Sequence, residues 1–177
     1  MADITTNSLR GIVKTLNDVV VPAIPADDPL ALQELKMVVR YLNFARERID
    51  HLYARARYEL TFYSDLIATF AAPLEKTYGA DSREIVELVQ RAQLLLAKPG
   101  TGIQELRNLH LEITHKMSTV LERVSDTAIL GGLERTVVLA SAEITAFDRS
   151  WYAPLKLERF PEQVRPLDSF IPVQTVS

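Results

Sequence analysis

The histidines and the carboxylates spaced near them are the first groups in this chain to weigh for chemistry. Glu112-Ile-Thr-His115 has the Glu-x-x-His spacing that carboxylate-bridged di-iron helix bundles place on two helices, with a further Glu from each of two others. Glu47 and His51, four residues apart, offer a second and irregular pair. Counting at about 100° per residue turns both pairs away from the expected core. Glu47 and His51 lie about 160° from Ile49, and His115 lies about 160° from Ile113. His110 and His115 diverge by about 140°. A metal inside a bundle needs inward ligands, so Glu47, His51, Glu112 and His115 read as solvated polar residues, and no metal is expected.

Nucleophilic catalysis has no visible apparatus. The chain has no Cys, which removes thiolate chemistry, disulfides and every Cys-ligated metal site. It has no Gly-x-Ser-x-Gly elbow. Lys98-Pro99-Gly100-Thr101-Gly102 lacks the Gly-Lys-Ser/Thr ending of a phosphate loop and reads as a helix–helix turn. No catalytic residue is assigned and no cofactor is called for.

Residues 40–63 are the most distinctive stretch, with five of the 14 Arg and six of the 12 Phe and Tyr residues. Arg grips carboxylates and phosphates through two parallel hydrogen bonds and stacks on aromatic rings. Arg46, Tyr53, Arg55 and Arg57 are therefore the candidates for binding a small anionic ligand, nucleotide-like or acyl-CoA-like. The same residues have a simpler use. Arg46 with Asp50 and Arg55 with Glu59 are four apart and can form local ion pairs on a helix.

The elements that carry these residues read as helices. Leu9, Ile12, Val13, Leu16 and Val19–Val20 give one apolar stripe over 6–20, which Pro22 is expected to end. Asp28 caps and Pro29 opens a second helix. It runs to Ala72 without Gly or Pro, with Glu59 interrupting its apolar stripe; at 1.5 Å per residue it is a rod of roughly 65 Å. A third helix covers 82–97, capped by Asp81 or Ser82, with Ile85, Leu88, Val89, Ala92 and Leu96 inward. A fourth starts near Gly102 and carries Leu106, Leu109, Ile113, Met117, Val120 and Val124. The stripe then slips by two residues, so a break is expected between Ser125 and Gly132, where paired glycines weaken a helix by roughly 1 kcal/mol each. A fifth helix follows over 133–152.

These patterns predict an all-α fold, a bundle of four to five helices over 1–152 with an extended, Pro-containing strap over 153–177. The strap is too apolar for a solvated linker. The 177 residues suit one domain, or at most two small ones, and a single domain of this size buries enough surface to fold without staples. The formal charge of −3, from 20 basic and 23 acidic side chains, lacks the basic excess of a nucleic-acid binder. No apolar run approaches the ~18 residues of a membrane span, and no secretory signal is visible. A cytoplasmic protein with no nucleic-acid or membrane partner is expected.

The run Leu9-Arg-Gly-Ile-Val-Lys-Thr-Leu-Asn-Asp-Val-Val-Val-Pro-Ala-Ile, followed by Asp28-Pro29 and a long helix, is similar to small helical proteins of unknown function. Some of those are encoded near acyl-CoA dehydrogenase-like or aminoglycoside-phosphotransferase-like enzymes. The resemblance covers about a quarter of the chain and brings no catalytic residue; it implies an accessory role beside an enzyme. Three readings follow. The chain is a non-catalytic helical protein that self-associates, as a homodimer built on the long helix and the strap, or binds a protein partner. Alternatively it binds an anionic ligand through the arginines of the long helix, or it is a metal-dependent enzyme using Glu47, His51, Glu112 and His115.

Overall fold

The computed structural model describes residues 4–172. The fold is all-α, with 83% of the residues helical and no strand among those described. It has six helices of twelve residues or more, rather than the expected four or five. The chain divides into two compact units. One takes the chain up to His51 together with Asp148–Pro166, and the other takes Leu52–Phe147 together with the chain from Leu167 on.

In the first unit, α1 (Ile4–Thr15) continues through a π turn, Leu16–Val20, into a short Val21–Ala23 segment. The expected stop at Pro22 does not occur. A proline ring clashes with the carbonyl four residues before it. The π turn moves bonding to the fifth residue back, with the Val21 N–H donating to the Leu16 carbonyl, and the helix passes through the proline. It ends one step later at Ile24, which is extended ahead of Pro25 (φ −74°, ψ 129°). The second helix, α2 (Pro29–Arg48), starts as its sequence signals, with the Asp28 carboxylate accepting from the Ala31 N–H at 2.9 Å. α1 packs on α2.

The expected 65 Å rod is interrupted. A 3-10 turn, Ile49–His51, separates α2 from α3 (Leu52–Leu74). Near the end of α2, Phe44 stacks on Tyr152 at 5.7 Å between ring centres and meets Trp151 edge-on at 6.5 Å. Arg48 donates from Nε to the Trp151 carbonyl (2.8 Å) and from Nη2 to the Ser150 carbonyl (3.3 Å), and its guanidinium lies 5.5 Å from the Trp151 ring centre. Burial lowers the Arg48 pKa against the opposing pull of Glu47. The arginine satisfies carbonyls that a helix end leaves without partners and places a positive charge where the helix dipole is negative.

The second unit holds the main core. Leu60, Ile67, Phe70 and Leu74 of α3 pack with Ile85, Leu88 and Ala92 of α4 (Gly79–Ala97) and with Leu106, Leu109, Ile113, Met117 and Val120 of α5 (Ile103–Arg123). These are the inward stripes read from the spacing in α4 and α5. Two details differ. Asp81 and Ser82 do not cap α4; Tyr78 holds that position, and both lie buried inside the first turn. The break before the last helix, α6 (Thr127–Tyr152), falls at residues 124–126, at the near edge of the expected Ser125–Gly132 window, and the glycines sit inside α6. Asp126 caps it by accepting from the Ala128 and Ile129 N–H groups at 2.9 and 3.0 Å.

The C-terminal segment is not a simple extended strap. It contains 3-10 turns at Ala153–Leu155, Pro161–Gln163 and Leu167–Ser169, and the proline at position 154 or 161 supplies a preset φ in two of them. Leu155 is buried in the first unit. In the second, Phe170 meets Phe147 at 5.5 Å and Tyr58 at 6.0 Å, both edge-on. The segment therefore packs on its own chain at both places. Residues 173–177 of the expected strap lie outside the described residues.

Candidate functional site

Large apolar side chains stay exposed on several helices, Leu94, Leu111, Val138 and Leu139 among them, and α2 combines such residues with a complete lack of burial. None of its twenty residues is buried. Leu30 is 66% exposed, Met37 41%, Val38 48% and Tyr41 50%. At 100° per residue these four fall with Glu34 on one arc of roughly 100°. Glu34, Met37, Val38, Tyr41 and Leu42 line a shallow groove there of about 360 Å³. Glu34 and Tyr41 form no hydrogen bond or ion pair among the described residues. On α1, Ile12 and the nearby Val19 and Val20 are also exposed. Val38 lies three residues from Leu35 and four from Leu42, the spacing of an inward stripe, yet it is exposed. The missed signal was that apolar residues of α2 occupy two arcs, Leu35 and Leu42 on one and Leu30, Met37 and Tyr41 on the other, while a helix lying on one neighbour needs a single stripe.

The anionic-ligand candidates fall in both units. Arg46 belongs to the first unit, and Tyr53, Arg55 and Arg57 to the second. Asp50 falls in the 3-10 turn, and an Arg46–Asp50 pair is not among the ion pairs of the described residues. Arg55 pairs with Glu59 at 2.7 Å as the spacing predicts, with its guanidinium 5.8 Å from the Phe147 ring centre. Arg57 lies over the Tyr53 ring at 5.8 Å. Arg55 and Arg57 are two residues apart and so face about 160° from one another.

Of the metal candidates, Glu47 and His51 belong to one unit and Glu112 and His115 to the other. Both Glu112 oxygens accept from Arg91, at 2.6 and 2.8 Å. Among the described residues, no three His, Asp or Glu side chains stand where they could hold a metal ion. His110 is half-buried and stacks on Tyr63 with ring centres 4.6 Å apart. Burial lowers its pKa; the Glu59 charge opposes that and the Arg55 charge adds to it.

Helical counting also missed a charged group tied to the core. Asp81 is 5% exposed and accepts from Lys116 Nζ at 2.8 Å and Arg123 Nη1 at 3.3 Å; Lys116 also bonds Glu84. Desolvation pulls the Lys116 pKa down, and the hydrogen bonds and charges of Asp81 and Glu84 outweigh it, so the ammonium stays above its ordinary value. Lys116, Arg123, Glu84, Arg91 and Glu112 border one groove between α4 and α5. These five side chains are all engaged in ion pairs across α4 and α5, which makes them a clamp between the two helices.

No helix among the described residues is long and apolar enough to cross a membrane. No family model matches the chain, and no curated protein and no solved structure shows significant similarity to it.

Proposed function

We propose that this chain is a non-catalytic helical protein that acts by self-association, with the outer face of α2 as its contact surface. One observation carries the reading: a twenty-residue helix buries nothing fully while four large apolar side chains on one arc stay 41–66% exposed. Full burial of such side chains is worth about 1.5–3 kcal/mol each, and a contiguous apolar patch of this kind marks an interaction site. In this reading α3, α4 and α5 form the core of a helical bundle, and the α1–α2 pair presents the contact. An accessory role beside an enzyme is compatible with the same surface, and the cytoplasm is the compartment the reading expects. The anionic-ligand reading gains no specific support, since Arg55 and Arg57 are engaged by neighbours on α3.

Sedimentation equilibrium at micromolar concentration tests the proposal. A mass twice the 19.9 kDa of one chain is expected. A mass of one chain at all accessible concentrations overturns it.

A further inference from the structure

We infer that the occupant of the α2 face is α2 of a second copy, running antiparallel about a two-fold axis that passes between Met37 and Val38. This rests on the self-association reading above and specifies its geometry. Glu34 is the charged residue within the exposed arc and Tyr41 its phenol, seven residues or about 10 Å further along the helix. A two-fold axis midway between them exchanges the two positions. The Glu34 carboxylate of each copy then faces the Tyr41 hydroxyl of the other, and the acid receives a donor twice over. Met37 faces Met37 and Val38 faces Val38 across the axis, which pairs apolar with apolar. The parallel alternative brings Glu34 against Glu34, two like charges inside an apolar contact, which is unfavourable. Antiparallel pairing also sets opposite ends of the two helix dipoles side by side. Two-fold symmetry requires a surface that complements itself, and the order Glu34, Met37–Val38, Tyr41 meets that requirement.

The chain has no cysteine, so single cysteines report the geometry without background. Met37→Cys and Val38→Cys are placed on the exposed surface, each next to its own copy at the axis. Under mild oxidation both should run as a covalent species of twice the chain mass, since a disulfide forms only when Cα atoms come within about 7 Å. Leu30→Cys should not. Its two copies lie about 15 residues apart along the axis, or roughly 22 Å. Sedimentation of the reduced variants is read alongside. A reduced dimer that cross-links through Leu30→Cys, or through neither Met37→Cys nor Val38→Cys, overturns the antiparallel pairing while self-association stands. A reduced monomer overturns both.

Discussion

Lys116 and Arg91 both bridge α4 and α5 to carboxylates, yet they should matter to very different degrees. The Lys116 and Asp81 side chains are 11% and 7% exposed, whereas Arg91 and Glu112 are 56% and 48% exposed. Removing Lys116 leaves the buried Asp81 charge with only its longer contact to Arg123. Lys116→Ala is therefore expected to cost about 3 kcal/mol, and Arg91→Ala less than about 1 kcal/mol, read by urea denaturation. Equal losses would contradict the burial argument. His110 gives a pH signature. Its folded pKa is depressed below the ordinary 6.5 by burial, so between the two values the unfolded chain binds more protons than the folded one. Stability then falls as pH drops below about 6.5, and this contribution stops growing below the folded value. His110→Gln should flatten that part of the profile; an unchanged slope would assign it to other groups. Little of this was legible in the sequence. Glu59 stood out as a break in an apolar stripe, and its pair with Arg55 follows from spacing alone. The burial of Asp81 and His110 is set by packing between helices far apart in the chain, which no local period encodes.

At the scale of elements, the apolar period located α4 and α5 and their inward residues, because a three-and-four spacing has one physical reading when one stripe faces a core. Helix ends were less legible. The Tyr78 hydroxyl accepts from the Ser125 N–H at 2.9 Å and the Asp126 N–H at 3.3 Å. These bonds satisfy backbone groups at the break between α5 and α6, and, after the larger effect of the Ser125 hydroxyl hydrogen bond, they lower the Tyr78 pKa. Their partner lies 47 residues away, so the sequence pointed instead to the glycines, the nearest local weakness. Gly131 and Gly132 are inside α6, with nothing within 4 Å of where a Cβ would sit. Gly131→Ala should accordingly stabilise the protein by about 0.5–1 kcal/mol, while Asp126→Ala, which removes the cap, should cost about 1 kcal/mol. Chemical denaturation followed by circular dichroism measures both. A loss on Gly131→Ala would mean that the glycine is needed for close approach by a neighbour.

For the whole molecule, the all-α class was plain from the sequence, and the surface through which we propose it acts was not. The apolar residues of α2 surround much of the helix, and periodicity cannot distinguish an arc facing α1 from one left for another chain. The strap shows the converse. Its apolar residues suggested an interface; Phe170 and Leu155 are used within their own chain, while Leu157 and Phe160 stay 68% and 47% exposed. The most direct measurement is the mass of Val38→Asp beside the parent chain, by size exclusion with light scattering at matched micromolar concentrations. Val38 is 48% exposed, so a charge there should leave the fold and its circular dichroism intact while opposing an apolar contact. The account predicts a parent of two chains and a variant of one, with the same helix content. A monomeric parent, or a variant that remains a dimer, would contradict it.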